Sequence, residues 1–195
     1  MLTEIDGTEF TLFIDYDRGK YANLSFPGKV KYMRERVTQI LLDPCKDAMK
    51  TILHNQMGLV VATAICAMIS AASTFLKGEQ APGGKDGIFF ADFITRYMDP
   101  TLQKEFHPGK KWIDWLYSDV RCGLAHSFAI KNGGVEYEIS GYVEVKNCGP
   151  EINPIQLLED FENGWSKYLD DVLKDGPAKE LGLLFGKRFD EIFHD

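Results

Sequence analysis

Two residues able to perform acid–base chemistry, Arg121 and His126, lie five positions apart in the stretch DVRCGLAHSFAIKNGG, residues 119–134. An imidazole with a pKa near ~6.5 can take or give a proton at neutral pH. A guanidinium can hold two phosphate oxygens at once. The pair could therefore act on a phosphodiester. The alternative is structural: Arg121 would cap the last carbonyls of a helix, and His126 would bond a neighbouring strand.

The spacing of this pair matters because the preceding residues have the pattern of a helix. Five residues of an unbroken α-helix turn through about 140°, so the two side chains would leave it on different sides. Gly123 lies between them and is predicted to end the helix as a C-terminal cap. We therefore expect His126 to turn back and to share one solvent-reachable pocket with Arg121.

The stretch LYSDVRCGLAHS, residues 116–127, resembles the R-x(4–6)-H signature of HEPN (higher eukaryote and prokaryote nucleotide-binding) domains. The similarity extends over roughly residues 57–175: an apolar central helix, then FFADFITRYM, then an aromatic helix that runs into RCGLAHS and a hairpin. This resemblance implies a helical bundle and a homodimer. Many members of the family are metal-independent ribonucleases, some of them in toxin–antitoxin or defence systems, and two copies of the motif form one composite site.

On the first of two hypotheses, the chain is an HEPN-like endoribonuclease. His126 would deprotonate the ribose 2′-hydroxyl or protonate the leaving oxygen, and Arg121 would stabilise charge at phosphorus. Tyr117, Asp119 and Ser127 would position groups around the pair, and Cys122 is also counted among the supporting residues of the site. The expected product is a cyclic phosphate, and no metal or cofactor is required.

On the second hypothesis, the chain is a non-catalytic HEPN-like module that dimerises or binds a nucleotide or a protein partner, and its Arg–His pair is structural. Active nucleases of the family usually have a polar residue, often Asn, directly after the Arg. Here that position is Cys122, which is a weak hydrogen-bonding group. Cys122 and the acidic balance of the chain favour this alternative.

The charge distribution indicates whether the chain could bind nucleic acid. A net charge of −7 argues against a protein that coats nucleic acid, because phosphate binding depends on clustered Lys and Arg. The charge is uneven: residues 151–195 have a net charge of −6, whereas residues 109–131 have +2. The second range could form a local basic surface for RNA, or it could be an ordinary solvated face.

Four cysteines are spread along the chain without a C-x-x-C pair, which favours reduced thiols and no structural zinc. The first ten residues do not have the pattern of a signal peptide. We therefore expect a cytoplasmic protein. Residues 57–76, MGLVVATAICAMISAASTFL, lack charge and are long enough to cross a bilayer. Their small and hydroxyl-bearing residues favour a helix buried in a soluble bundle instead, so no membrane association is expected.

The remaining patterns predict one domain over residues 1–195, mainly α-helical, with a small antiparallel hairpin or meander after the motif helix. Strands are expected at about 8–17 and 127–146, the second around an Asn132–Gly133 turn. Asp43–Pro44 is predicted to cap and open a new helix, as is Asn153–Pro154. A last helix is predicted to open at Pro177.

Overall fold

Helices make up most of the computed structural model, which describes residues 2–11, 18–50, 54–127 and 129–193. The fold is mainly α, as the sequence predicts. The α-helices are α1 Arg18–Ala22, α2 Phe26–Val37, α3 Asp43–Met49, α4 His54–Lys77, α5 Asp86–Tyr97, α6 Trp112–Trp115, α7 Cys122–Ser127, α8 Pro154–Asp175 and α9 Glu180–Phe193. Segments of π-helix span Thr38–Leu42 and Leu116–Arg121, and a 3-10 turn spans Pro100–Gln103.

The uncharged helix α4 forms the centre of the bundle. It packs against α3, α5, α8, α9 and the π segment Leu116–Arg121. Met57–Lys77 is long and apolar enough to cross a membrane, but 61% of its most apolar window is buried inside the protein. The prediction of a core helix is confirmed, and this burial is that of a helix in a soluble bundle. One face of α4, which includes Val60, Thr63, Ala67 and Ala71, nevertheless remains exposed.

The α-helix predicted at Asp43–Pro44 is present as α3, with Pro44 in its first turn. The predicted cap at Asp43 is wrong, because the helical backbone runs without a break from Phe26 to Met49. Asp43 has helical dihedral angles, and its N–H donates to the carbonyl of Thr38, five residues earlier. A proline inside an α-helix lacks an N–H and clashes with the carbonyl four residues before it. The π turn directly before Pro44 widens the helix, which accommodates the proline without ending the helix.

The motif segment also continues where a break was expected. α6, the π segment Leu116–Arg121 and α7 follow one another directly, and α7 extends to Ser127. Gly123 therefore lies inside the helix, and its prediction as a C-terminal cap is wrong. A glycine is needed here for another reason: the position is buried, and a Cβ would lie 2.4 Å from the carbonyl oxygen of Ala129. Gly123 allows the chain after α7 to return closely over the helix.

The N-terminal hairpin pairs β1 Leu2–Ile5 with β2 Thr8–Thr11 in antiparallel register. Asp6 and Gly7 connect the strands with positive φ values of 51° and 74°, as two-residue hairpin turns require. The predicted strand at about 8–17 is confirmed only as far as Thr11, since residues 12–17 lie outside the described part of the chain.

Five further short strands are β3 Glu105–His107, β4 Lys110–Lys111, β5 Gly134–Val135, β6 Val143–Lys146 and β7 Gly149–Ile152. The antiparallel hairpin predicted after the motif helix is present, but as β6 and β7. β5 and β6 lie within the predicted range of about 127–146. The hairpin turn predicted at Asn132–Gly133 is wrong, because Ser127 is helical and β5 pairs in parallel with β7. Gly133 has a φ of 94° and directs the chain past the carbonyl of Pro150.

The C-terminal helices complete the core. Asn153 caps α8 as predicted: its side chain accepts from the backbone N–H groups of Ile155 and Gln156. The last helix begins at Glu180, three residues later than the predicted Pro177. Phe185 and Phe189 of α9 are fully buried, and one continuous apolar core extends from Ile5 to Phe189.

Candidate functional site

Arg121 is a half-buried cation without a carboxylate partner among the described residues. It is the last residue of the π segment Leu116–Arg121. Its Cζ lies 5.5 Å from the centroid of the Tyr117 ring, and its Nη1 lies 3.9 Å from Sγ of Cys122. Both neighbours are weak partners for a guanidinium. The side chain therefore keeps most of its hydrogen-bonding capacity for a ligand.

Two adjoining cavities meet at Arg121. The first has a volume of about 280 Å³ and also includes Ser70, Asp86 and Arg188 in its wall. The second has a volume of about 240 Å³ and is lined by Arg121 together with Ser70, Cys66 and other residues of α4 and α7. Because Arg121 and Ser70 line both, the guanidinium lies at the junction of one composite cleft beside α4.

His126 lies outside this cleft. Its side chain is exposed on α7, and it lines neither of the two cavities. Since the backbone from Arg121 to His126 stays helical, the two side chains leave the helix about 140° apart. Among the described residues no hydrogen bond joins them. One subunit therefore does not bring the predicted pair into a shared cavity.

The residues predicted to support the pair are divided between two regions. Tyr117 and Cys122 lie beside Arg121, and the Tyr117 ring packs closely over Gly87 at the start of α5. Asp119 instead lines a separate cavity of about 230 Å³ next to Trp115. Its carboxylate accepts from the Ser118 hydroxyl at 2.7 Å.

Ser127 is exposed in the last turn of α7, the turn that also contains His126. Neither residue lines the cleft at Arg121. Of the six residues predicted for the site, the structure therefore brings together Arg121, Tyr117 and Cys122 and leaves Asp119, His126 and Ser127 elsewhere.

The interior wall of the cleft is poorly suited to acid–base work. Complete burial raises the pKa of the Cys66 thiol to about 12, so it remains protonated at neutral pH. Tyr117 contacts Arg121 but lines neither cavity; burial raises its pKa as well, and the nearby Cys122 raises it further. Arg121 is permanently charged. Apart from the Asp86 carboxylate, the cleft thus offers the fixed positive charges of Arg121 and Arg188 and neutral donors, which suits ligand binding better than proton transfer.

The contribution of α4 and α5 to this cleft is not among the features that the sequence predicts. Ser70 comes from α4 and Asp86 from the first turn of α5. The hydroxyl of Ser70 within the uncharged stretch 57–76 could have indicated a polar site on this helix. Buried helices often contain such residues, so this signal is not specific. Asp86 could not be associated with Arg121 because the association depends on how α5 packs against the π segment.

The described residues contain no group of three or more His, Cys, Asp or Glu side chains that could hold a metal ion. The main ligand-binding group of the cleft is therefore the Arg121 guanidinium, which has no carboxylate partner among the described residues. No protein-family model, curated protein or solved structure matches this chain.

Proposed function

We propose that this chain is a non-catalytic, HEPN-like cytoplasmic module that binds a small anionic ligand, of the nucleotide class, through Arg121. The observation that supports the proposal is the half-buried guanidinium at the junction of two cavities, without a carboxylate partner among the described residues. A partly desolvated charge is costly unless an opposite charge compensates it. A phosphate or carboxylate that accepts two parallel hydrogen bonds would supply that compensation.

The volume of the cleft and the separation of His126 from Arg121 favour binding over catalysis. The two cavities, at about 280 and 240 Å³, together suit a small molecule, since ligand pockets commonly range from about 300 to 1,000 Å³. An acid–base mechanism would need an imidazole within hydrogen-bond reach of the bound phosphate. His126 lies away from the cleft, so one subunit provides an anion site without its proton-transfer partner.

Calorimetric titration with AMP at low salt tests the proposal. We expect Arg121→Gln to weaken AMP binding by at least about tenfold, because charge-assisted hydrogen bonds are each worth about 1.5–3 kcal/mol. The matched control is Arg96→Gln on α5, which removes an exposed cation that lines neither cavity. Equal AMP affinity in the wild type and the Arg121 variant would overturn the proposal.

A second candidate, the metal-independent ribonuclease, is favoured by the exposure of His126. An accessible imidazole on α7 could meet Arg121 of another subunit in a composite site, as the resemblance implies. Single-stranded RNA is incubated in excess chelator with the wild type, Arg121→Ala, His126→Ala and an equal mixture of the two variants. Cleavage to a cyclic phosphate that is lost in each variant and returns in the mixture would support the nuclease. The binding-module proposal predicts identical background in all four.

A further inference from the structure

The cavity of about 280 Å³ beside Arg121 also contains a carboxylate, that of Asp86. Asp86 begins α5, whereas Arg121 ends the π segment Leu116–Arg121. The two charges line one cavity without an ion pair between them: no nitrogen–oxygen distance of 4.0 Å or less joins them, and neither forms an ion pair with another described residue. A space lined by two separated opposite charges can receive a ligand that bridges them.

The other strong cation of this cavity is already engaged. The Arg188 guanidinium donates to Oγ1 of Thr74 at 3.1 Å and to Oε1 of Gln80 at 2.7 Å. It also forms an ion pair with Glu191 at 2.7 Å. Arg188 therefore holds the cavity wall together. Among the described residues, the cavity is left with one positive and one negative group for a ligand.

We propose that this cavity binds a small zwitterion, with a carboxylate on Arg121 and an ammonium group on Asp86. The inference rests on the proposed anion-binding role of Arg121 and goes beyond the proposed function, because it assigns this cavity an amino acid rather than a nucleotide. A guanidinium matches a carboxylate in a bidentate arrangement, and an aspartate accepts from an ammonium group. The side chains of Phe75 and Ile192 also line the cavity. They provide an apolar surface for the side chain of a free α-amino acid.

The volume supports a ligand of this size. About 280 Å³ lies at the small end of ligand pockets, which excludes a folded macromolecule as the occupant of the cavity. A simple anion would contact Arg121 alone, and a simple amine would contact Asp86 alone. Asp86 is exposed to solvent, so the half-buried Arg121 is the group that gains most from a counter-charge, and an ammonium group on Asp86 adds a second contact. A ligand with both charges can contact both groups at once.

The test compares matched ligands that differ in the amino group. L-leucine is titrated against 4-methylpentanoate, and β-alanine against propanoate, by calorimetry at neutral pH and low salt. In the wild type we expect at least one amino acid to bind about tenfold or more tightly than its deaminated partner. In Asp86→Asn the ratio should fall to about one, whereas Arg121→Gln should weaken binding of both members of a pair. Glu180→Gln, which also removes an acid from the first turn of a helix, should leave the ratio unchanged.

The outcomes separate this inference from the proposed function. Equal affinity of amino acid and deaminated acid, or a ratio that survives Asp86→Asn, would overturn the zwitterion while the anion site remains. Carboxylate binding that persists in Arg121→Gln would overturn the anion site itself. Absence of binding by all four ligands would overturn the zwitterion assignment, and the AMP titration reports on the anion site separately. Circular dichroism and thermal melting verify that each variant is folded.

Discussion

A single hydrogen bond between Tyr142 and Asp160 shows how one residue stabilises the junction between the small sheet and the helices. The Tyr142 hydroxyl donates to Oδ2 of Asp160 at 2.8 Å. The same carboxylate accepts from the backbone N–H of Asp99 at 2.9 and 3.0 Å. Burial raises the pKa of Asp160, and these two hydrogen bonds oppose that increase.

We predict that Tyr142→Phe destabilises the protein more at pH 7 than at pH 4. The substitution removes a hydrogen bond that favours the ionised Asp160, so the pKa of Asp160 rises further. An acid whose folded-state pKa is raised contributes less stability as the pH rises through that pKa. Loss of a hydrogen bond to a charged group costs about 1.5–3 kcal/mol at pH 7, and about 1 kcal/mol where the acid is protonated. Urea denaturation at both pH values measures the difference.

The matched control for Tyr142 is Tyr168→Phe. The Tyr168 ring is fully buried, and its hydroxyl has no hydrogen-bond partner among the described residues. Removal of an unpaired buried hydroxyl is expected to leave the free energy of unfolding unchanged or to increase it by about 1 kcal/mol, at either pH. Equal losses in the two variants, or a loss in Tyr142→Phe that does not depend on pH, would contradict the assigned role of the Tyr142–Asp160 bond.

At the scale of elements, the contact between α8 and the end of α5 depends on a helical glycine. Gly164 of α8 is buried, and a Cβ there would lie 2.6 Å from the carbonyl oxygen of Tyr97. The clash would be with backbone, which cannot rotate away as a side chain can. The glycine lets the two helices approach closely at this point.

We therefore predict opposite effects for two glycine-to-alanine substitutions in helices. Alanine normally stabilises a helix by about 1 kcal/mol relative to glycine. Gly186→Ala in α9 should show this gain, because outside the adjacent backbone of α9 no described atom lies within 4 Å of its added Cβ. Gly164→Ala should instead lower the free energy of unfolding by about 1–3 kcal/mol, as overpacking does. Chemical denaturation of both variants tests the pair, and a stabilised Gly164→Ala would show that α8 can shift without cost.

Sequence patterns predicted elements well where the signal was local and periodic. The uncharged stretch 57–76 and the Asn153 cap both gave correct helices. The Asp6–Gly7 dipeptide, an equally local hairpin signal, was overlooked, and it connects β1 and β2. The Asn132–Gly133 dipeptide was misread, because a glycine with positive φ also serves where the backbone must pass close to Pro150.

The main error was to predict helix boundaries where the helical backbone continues. This error led to the wrong expectation for the site. Glycine at 123 and proline at 44 both have the local character of helix boundaries, yet each lies inside a continuous helical run beside a π segment. A π turn depends on packing over several residues rather than on one residue type. The shared pocket expected for Arg121 and His126 required a break at Gly123. The cleft that Arg121 lines was not predictable, since its other walls come from α4, α5 and α9.

At the scale of the whole molecule, self-association is limited by charge. Two copies with a net charge of −7 repel each other, which favours association through a surface of low charge. The exposed face of α4 is such a surface: residues 57–76 contain no charged side chain, and Arg121 borders this face where Thr63 and Ala67 line its cavity. Val60 on this face is 56% exposed. Burial of this face would also remove apolar area from water. The homodimer expected from the HEPN resemblance therefore has a candidate interface here.

We predict that Val60→Glu abolishes this homodimer, since the twofold arrangement would place two buried carboxylates in the interface without partners. Light scattering coupled to gel filtration, at about 100 µM protein, measures the mass in solution. Leu183→Glu is the matched control: Leu183 is 57% exposed, so the substitution adds the same charge at nearly equal exposure on another helix, α9. A dimer that survives Val60→Glu but dissociates in Leu183→Glu would place the interface on α9 instead. A wild-type protein that remains monomeric would exclude the composite ribonuclease site, which needs two subunits, and would leave the Arg121 cleft as a site complete within one chain.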